Sequence, residues 1–427
     1  MESKDNIKKV ILKYGSLMPE NIIERDLEIF KTKFDKANVV VGPRRSGKTF
    51  FLYYLLKKQK KKHPVFVNFE DNLLGEMNKN DLNKIPDASK ELFGKELVFF
   101  FDEIQVVDEW ERFVVSLLNE HYAIFISGSN SKMLSREIAT TLRGKSLPYL
   151  LLPFSFKEFL KVKKIELEKN WVYSDKVFEV KKQFKEFLEF GGFPEVVLAD
   201  SLALKNKLVN NYFDSVLYKD LIERLRLKNI KLVEITLKYL INLFGHDFSI
   251  SAFERYLKSN KTPYSLEDLY IILKAVQDVF MASYVKEYSK SFKKSEFSKA
   301  KIYLFDTSYI HFLSFEPNDL GRIMENLVFI ELFREQGNLE NKNIFYFKTK
   351  NSECDFILTR KNTASAIQVT YELNSKNRER EIKGLIEAMD YFKLNSGLIL
   401  TYDQEEEIKS NGKKITVKPI WKWLLEK

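Results

Sequence analysis

The strongest chemical signal in this 427-residue chain is one run of eight residues, Gly42-Pro43-Arg44-Arg45-Ser46-Gly47-Lys48-Thr49. It fits G-x-x-x-x-G-K-[ST], a spacing with a physical purpose. The glycines let the backbone curl until its N–H groups face phosphate oxygens, and the helix that follows adds its positive end. Lys48 would reach the β- and γ-phosphates of ATP, and the Thr49 hydroxyl would coordinate Mg²⁺. A second pair of candidates ends the apolar run Leu97-Val98-Phe99-Phe100-Phe101, where Asp102 and Glu103 follow. An acid at the carboxyl end of a buried strand lies where open α/β sheets bind ligands. Asp102 would hold Mg²⁺ through water, and Glu103 would polarise the attacking water. The competing reading is that both acids cap a helix starting near Ile104.

These residues need a scaffold, and the surrounding pattern supplies one. Asn38–Val41 is a short β-branched run before the Gly-rich turn, and a helix is expected over Lys48–Lys61. Val65–Asn68, Leu97–Phe101 and Tyr122–Ser127 read as further strands. Apolar runs separated by helices predict a parallel sheet covered on both faces, a three-layer α/β domain. One or two charged helices to about Phe34 precede it. From Phe154 to about Leu243 helical periodicity dominates, broken at Gly191-Gly192-Phe193-Pro194. Phe248–Ile310 then gives two helices, a strand, a Lys/Ser-rich loop (Ser289–Ala300) and the strand Ile302–Phe305, the layout of a winged helix. The last hundred residues return to α/β, with a helix over Arg322–Gln336 and strands near Phe345, Asp355 and Gln368. A helix over Arg380–Phe392 and strands near Leu398 and Ile415 complete it. The expected domains are an N-terminal helical arm (1–36), a P-loop core (37–155), a helical lid region (156–243), a winged-helix-like module (244–315) and a C-terminal α/β domain (316–427).

Taken together, GPRRSGKT, the strand ending in DEIQ, Ile126-Ser127-Gly128-Ser129-Asn130 and Leu142-Arg143-Gly144-Lys145 make the sequence resemble the AAA+ superfamily. The resemblance is to a group of archaeal and bacterial predicted ATPases, and it implies ATP hydrolysis with Mg²⁺. It also implies that Ser129 or Asn130 is the sensor of the γ-phosphate and that Gln105 and Arg143 are further site residues. Arg143 would be an arginine contact, within the chain or from a neighbouring subunit, or else a surface arginine helping a turn. Arg44 and Arg45 would support the loop that contains them.

In the last domain Glu325 on a helix, Asp355 in Glu353-Cys354-Asp355-Phe356 and Gln368-Val369-Thr370 resemble the restriction-endonuclease-like fold with its PD-(D/E)XK motif. The same group of ATPases ends in such a domain and carries GGFPE, here Gly191–Glu195. An active centre of that kind needs two or three acidic Mg²⁺ ligands and a lysine. Here Gln368 and Thr370 are neutral, and no lysine stands at the expected place. The expectation is a degenerate centre at Glu325, Asp355 and Gln368, the alternative being ordinary helix-cap and strand-edge acids. Glu353 shares a strand face with Asp355, whereas Cys354 points the other way and fills the core.

A net charge of +10 suits contact with a polyanion such as DNA, although a lysine-rich composition alone would produce it. The basic loop at Ser289-Lys290-Ser291-Phe292-Lys293-Lys294 suits phosphate contact, the alternative being a plain solvated hairpin loop. The recognition helix Ser265–Val279, by contrast, carries Glu267 and Asp268 where such helices usually meet DNA. One cysteine excludes an internal disulfide, and four scattered histidines show no metal-ligand spacing. A charged N-terminus and no long uncharged apolar run point to a cytoplasmic protein without a membrane segment. Three outputs follow: nucleotide-coupled DNA binding, a slow nucleotide switch recruiting a protein partner without DNA, or an ATP-dependent nuclease. Assembly with further copies of the chain fits each of them.

Overall fold

The computed structural model describes residues 3–30, 34–59, 62–75, 77–128, 142, 144–291, 299–315, 318–360 and 363–426. The chain forms two compact units, Met1–Leu152 and Pro153–Lys427.

The first unit is built on a parallel sheet of β1 (Ala37–Val41), β2 (His63–Asn68), β3 (Leu97–Asp102), β4 (Ala123–Gly128) and β5 (Ser146–Leu150), in the order β2-β3-β4-β1-β5. Every residue of β1 and β3 is buried, as a strand covered on both faces requires. Side-chain alternation sends Phe100 to one face, stacked 4.8 Å from Phe125, while Phe99 and Phe101 meet Tyr122 and Phe113 on the other. Helices α1 (Lys4–Ser16), α2 (Lys48–Lys57), α3 (Lys84–Phe93) and α4 (Trp110–Asn119) accompany it. One expectation needs correction: helix α2 stops at Lys57, short of the expected Lys61. Strand β5 escaped the sequence pattern because Ser-Leu-Pro-Tyr-Leu is short and contains Pro148; proline cannot donate to a ladder and is confined to edges.

The second unit opens with α5 (Phe156–Val162), α6 (Lys176–Phe190), α7 (Pro194–Leu198), α8 (Leu202–Ser215), a π-helical stretch (Val216–Glu223) and α9 (Ile230–Asn242). The break between α6 and α7 is Gly191-Gly192. Gly191 has φ +73°, and a Cβ there would lie 1.9 Å from the Asp306 carboxylate; one on Gly192 would lie 2.3 Å from the Phe154 carbonyl. Only glycine fits either place. Asp306 accepts from Gly192 N–H at 2.8 Å and Ser308 N–H at 3.0 Å.

Next come β6 (Asp247–Phe248), α10 (Ile250–Ser259), α11 (Leu266–Asp278), β7 (Ala282–Lys286) and β8 (Ala300–Leu304), whose strands form an antiparallel sheet ordered β6-β8-β7. The Ser265 side chain caps α11 by accepting from Asp268 N–H at 3.0 Å. After α12 (Ser308–Leu313), helix α13 (Leu320–Gln336) is buried at every position from Ile323 to Phe333, as befits a helix enclosed all round. A six-stranded mixed sheet follows, ordered β13-β14-β12-β11-β10-β9. Its strands are β9 (Ile344–Lys348), β10 (Glu353–Arg360), β11 (Thr363–Val369), β12 (Ser396–Thr401), β13 (Glu406–Ser410) and β14 (Lys413–Pro419), with α14 (Arg378–Phe392) and α15 (Ile420–Leu425). Among the described residues no helix is long and apolar enough to cross a membrane.

Candidate nucleotide site and a buried charge centre

The phosphate-type loop turns from β1 into α2. Arg45 at φ 67° and Gly47 at φ 92° give the left-handed twists that bend it, the first a costly conformation for a side-chain-bearing residue. Gly42 is pressed so closely on Leu151 that a Cβ would sit 2.0 Å from that carbonyl oxygen. Helix α2 begins at Lys48 without a side-chain cap, which leaves its first N–H groups for an anion. The Lys48 ammonium donates to the Gly42 and Pro43 carbonyls at 3.2 and 2.8 Å, folded back over the loop.

The end of β3 lies alongside. Thr49 Oγ1 donates to Asp102 Oδ2 at 2.9 Å, Asn68 Nδ2 reaches the same oxygen at 3.3 Å, and the Ser127 hydroxyl donates to Oδ1. Burial pushes the Asp102 carboxyl up, while the Ser127 and Thr49 hydroxyls and the Lys48 charge act against it. Glu103 stands at φ 55°, which turns the chain out of the strand, and Gln105 donates to its carboxylate. Burial raises the Glu103 carboxyl to about 7, with Lys48 opposing. No side-chain cap bond is made by Glu103 to the short turn Ile104–Val106, so the geometry does not support reading it as a helix cap.

Mg²⁺ and ATP fit these residues. The Ser46 hydroxyl is buried without a hydrogen-bond partner, the Thr49–Asp102 pair is a hard-oxygen set, and the loop tolerates no side chain at Gly42. Ser129, Asn130 and Arg143 lie outside the described residues, as do Phe292, Lys293 and Lys294.

Three contributors were not visible in the sequence pattern. Asn68 ends β2 opposite Asp102 in register. Ser127 pairs with Asp102 across β3 and β4. Arg25, buried in a segment without regular structure, donates to the Ser46 carbonyl at 2.9 Å and the Leu152 carbonyl at 2.6 Å. A buried arginine well before the motif gave no local signal.

In the second unit, Glu325 on α13 and Asp355 on β10 do come together, but around a lysine. The Lys301 ammonium, on β8, lies 2.9 Å from Glu325, 2.7 Å from Glu353 and 3.4 Å from Asp355. Gln368 turns elsewhere, accepting from Asp355 N–H at 3.3 Å and donating to Glu381 at 2.7 Å. The sequence reading found no lysine for this centre because Lys301 belongs to an earlier module. Cys354 is fully buried in the core beside Ile357, Leu385 and Met389, as expected.

Residues 34–160 match the family model described as an AAA domain, 181–319 a domain of unknown function (DUF8612), and 320–423 another (DUF4143). With the P-loop between β1 and α2 and a parallel sheet beneath it, the first unit is an AAA-type P-loop ATPase domain. The chain is 41% identical over 410 residues to the uncharacterized protein MJ1544 of Methanocaldococcus jannaschii, spanning 95% of this chain and 91% of that one. It belongs to that protein's family. An uncharacterized protein of Haemophilus influenzae is 26% identical over 415 residues, 95% of this chain and 98% of its own. Among solved structures, the Walker-type ATPase PABY2304 of Pyrococcus abyssi aligns with 72% of this chain and 94% of its own, at 12% identity and a TM-score of 0.37.

Proposed function

We propose that the chain hydrolyses ATP with Mg²⁺ and couples the nucleotide state to DNA contact by its basic C-terminal half. The observation that carries the first part is the Thr49–Asp102 hydrogen bond beneath an uncapped helix start. Lys48, now on the Gly42 and Pro43 carbonyls, would reach the phosphate oxygens, and Thr49 and Asp102 would hold the metal. Bound Mg²⁺ supplies neutralisation of the charge that builds on the terminal phosphates. Glu103, held by Gln105, orients water and accepts its proton. Ser129 or Asn130 senses the γ-phosphate, and Arg143 contacts it from this or a neighbouring copy.

The DNA reading draws on the module of β6, α10, α11, β7 and β8, whose helices and three-stranded antiparallel sheet suit a winged helix. One observation favours the other output, a protein partner. The exposed side of α11 presents Leu266, Glu267, Tyr270 and Ile271, with Lys274 as its basic residue. That surface is better suited to protein than to phosphate.

Steady-state hydrolysis by the wild type and Glu103→Gln, each with and without duplex DNA, tests both parts. Activity that rises with DNA and is lost in the variant is expected. Activity indifferent to DNA, with binding that does not weaken from low to physiological salt, moves the output to a protein partner. Absence of hydrolysis in the wild type refutes the reading of Glu103.

A further inference from the structure

The nuclease-like resemblance implies a divalent cation between Glu325 and Asp355, and the side chains present do not fit one. We propose that the Lys301 ammonium is a built-in occupant of that cation position, which keeps divalent ions out and locks β8 to α13 and β10.

An ammonium has three N–H donors, and three carboxylates converge on this one from two other elements. Each carboxylate accepts a second hydrogen bond as well. Tyr303 donates to Glu325, Val369 N–H donates to Asp355 Oδ2 at 2.9 Å, and Lys348 donates to Glu353 Oε2 at 2.8 Å. Gln368 offers no free ligand: its amide oxygen accepts from Asp355 N–H at 3.3 Å and its nitrogen donates to Glu381, which is itself paired with Arg380. Among the described residues no group of three histidine, cysteine or acidic side chains is arranged to hold a metal ion.

Electrostatics keep the occupant charged. Burial by itself would lower the Lys301 ammonium, but Glu325, Asp355 and Glu353 hold it well above its ordinary value. Burial and Glu325 push the Asp355 carboxyl up, against Lys301 and the Val369 N–H. The centre therefore carries little excess negative charge to recruit a second cation.

Access does not account for the exclusion. A cleft of about 480 Å³, lined by His246, Asp247, Lys348 and Glu353 among others, reaches Lys301 from solvent. An ion could enter, but it would meet an ammonium already seated among the oxygens it needs. The lock also joins two family modules, because Lys301 falls in the domain ending at residue 319 and its partners in the domain starting at 320.

The test is Mn²⁺ binding to the nucleotide-free full chain, read by electron paramagnetic resonance. The four proteins are the wild type, Asp355→Asn, Lys301→Ala and the Lys301→Ala/Asp355→Asn double variant. Wild type and Asp355→Asn are expected to match. Lys301→Ala is expected to bind Mn²⁺ at least about tenfold more tightly than wild type, and the double variant to lose that gain. Asp355-dependent Mn²⁺ binding or plasmid nicking by the wild type overturns the proposal. So does a folded Lys301→Ala that gains no Mn²⁺. If Lys301→Ala does not fold, Lys301→Met replaces it with the stem retained, and the wild-type comparison with Asp355→Asn still decides.

Discussion

Arg25 offers the sharpest test of how the nucleotide loop is held. Its buried guanidinium makes charge-assisted hydrogen bonds to two main-chain carbonyls, Ser46 at 2.9 Å inside the loop and Leu152 at 2.6 Å where the first unit ends. A hydrogen bond from a charged donor contributes about 1.5–3 kcal/mol, so Arg25→Ala forfeits roughly 3–6 kcal/mol and leaves both carbonyls without that partner. Part of this appears as lost stability of the unit and part as disorder of the loop. If about half falls on the loop, nucleotide affinity drops on the order of 10–150-fold. Arg25→Lys keeps a charge but not the planar fork that spans two carbonyls, so it lands between the two. The assay is titration with a fluorescent ATP analogue, paired with thermal melting of each variant. Glu103→Gln serves as the contrast, since losing the water-orienting acid should slow turnover while leaving binding intact. A folded Arg25→Ala that binds the analogue within threefold of wild type would refute the reasoning.

Two further predictions concern the turn at Gly191-Gly192. Gly192→Ala drives a Cβ to 2.3 Å from the Phe154 carbonyl and displaces the hydrogen bond from Phe154 N–H to Gly192 at 2.8 Å. It should lower the stability of the second unit by about 2–4 kcal/mol, seen as an earlier urea transition in tryptophan fluorescence. An unchanged midpoint would show that the backbone can yield there. Burial raises the Asp306 carboxyl to about 6, with the Ser308 and Gly192 donors opposing. The folded unit therefore keeps a proton that the unfolded chain releases near pH 4. As pH rises from about 4 to about 6 the wild type should lose up to about 3 kcal/mol from this group. Asp306→Asn lacks that dependence, so the stability gap between wild type and variant should narrow toward pH 7, and a constant gap would contradict the assignment.

What the sequence determined by itself is local. The spacing from Gly42 to Thr49 fixes a turn between a strand and a helix, because the glycines and the apolar flanks act on their immediate neighbours. The run Leu97–Phe101 places Asp102 at a strand end for the same reason. Much of the second unit's order of helices and strands follows from periodicity as well, although the short elements Ser308–Leu313, Glu406–Ser410 and Ile420–Leu425 gave no such signal. The tertiary structure decided which distant groups complete each centre. Asn68 and Ser127 reach Asp102 only through strand register, and Arg25 braces the loop from a segment that has no pattern of its own. Lys301 enters the carboxylate centre from a different module, where no spacing rule connects it with Glu325 or Asp355. Electrostatic attraction and burial act through space and not along the chain, so an alternating strand such as Ala300–Leu304 could not announce that its lysine points inward. The same residue types that spelled a weak metal site in sequence therefore fold into a lysine-centred lock.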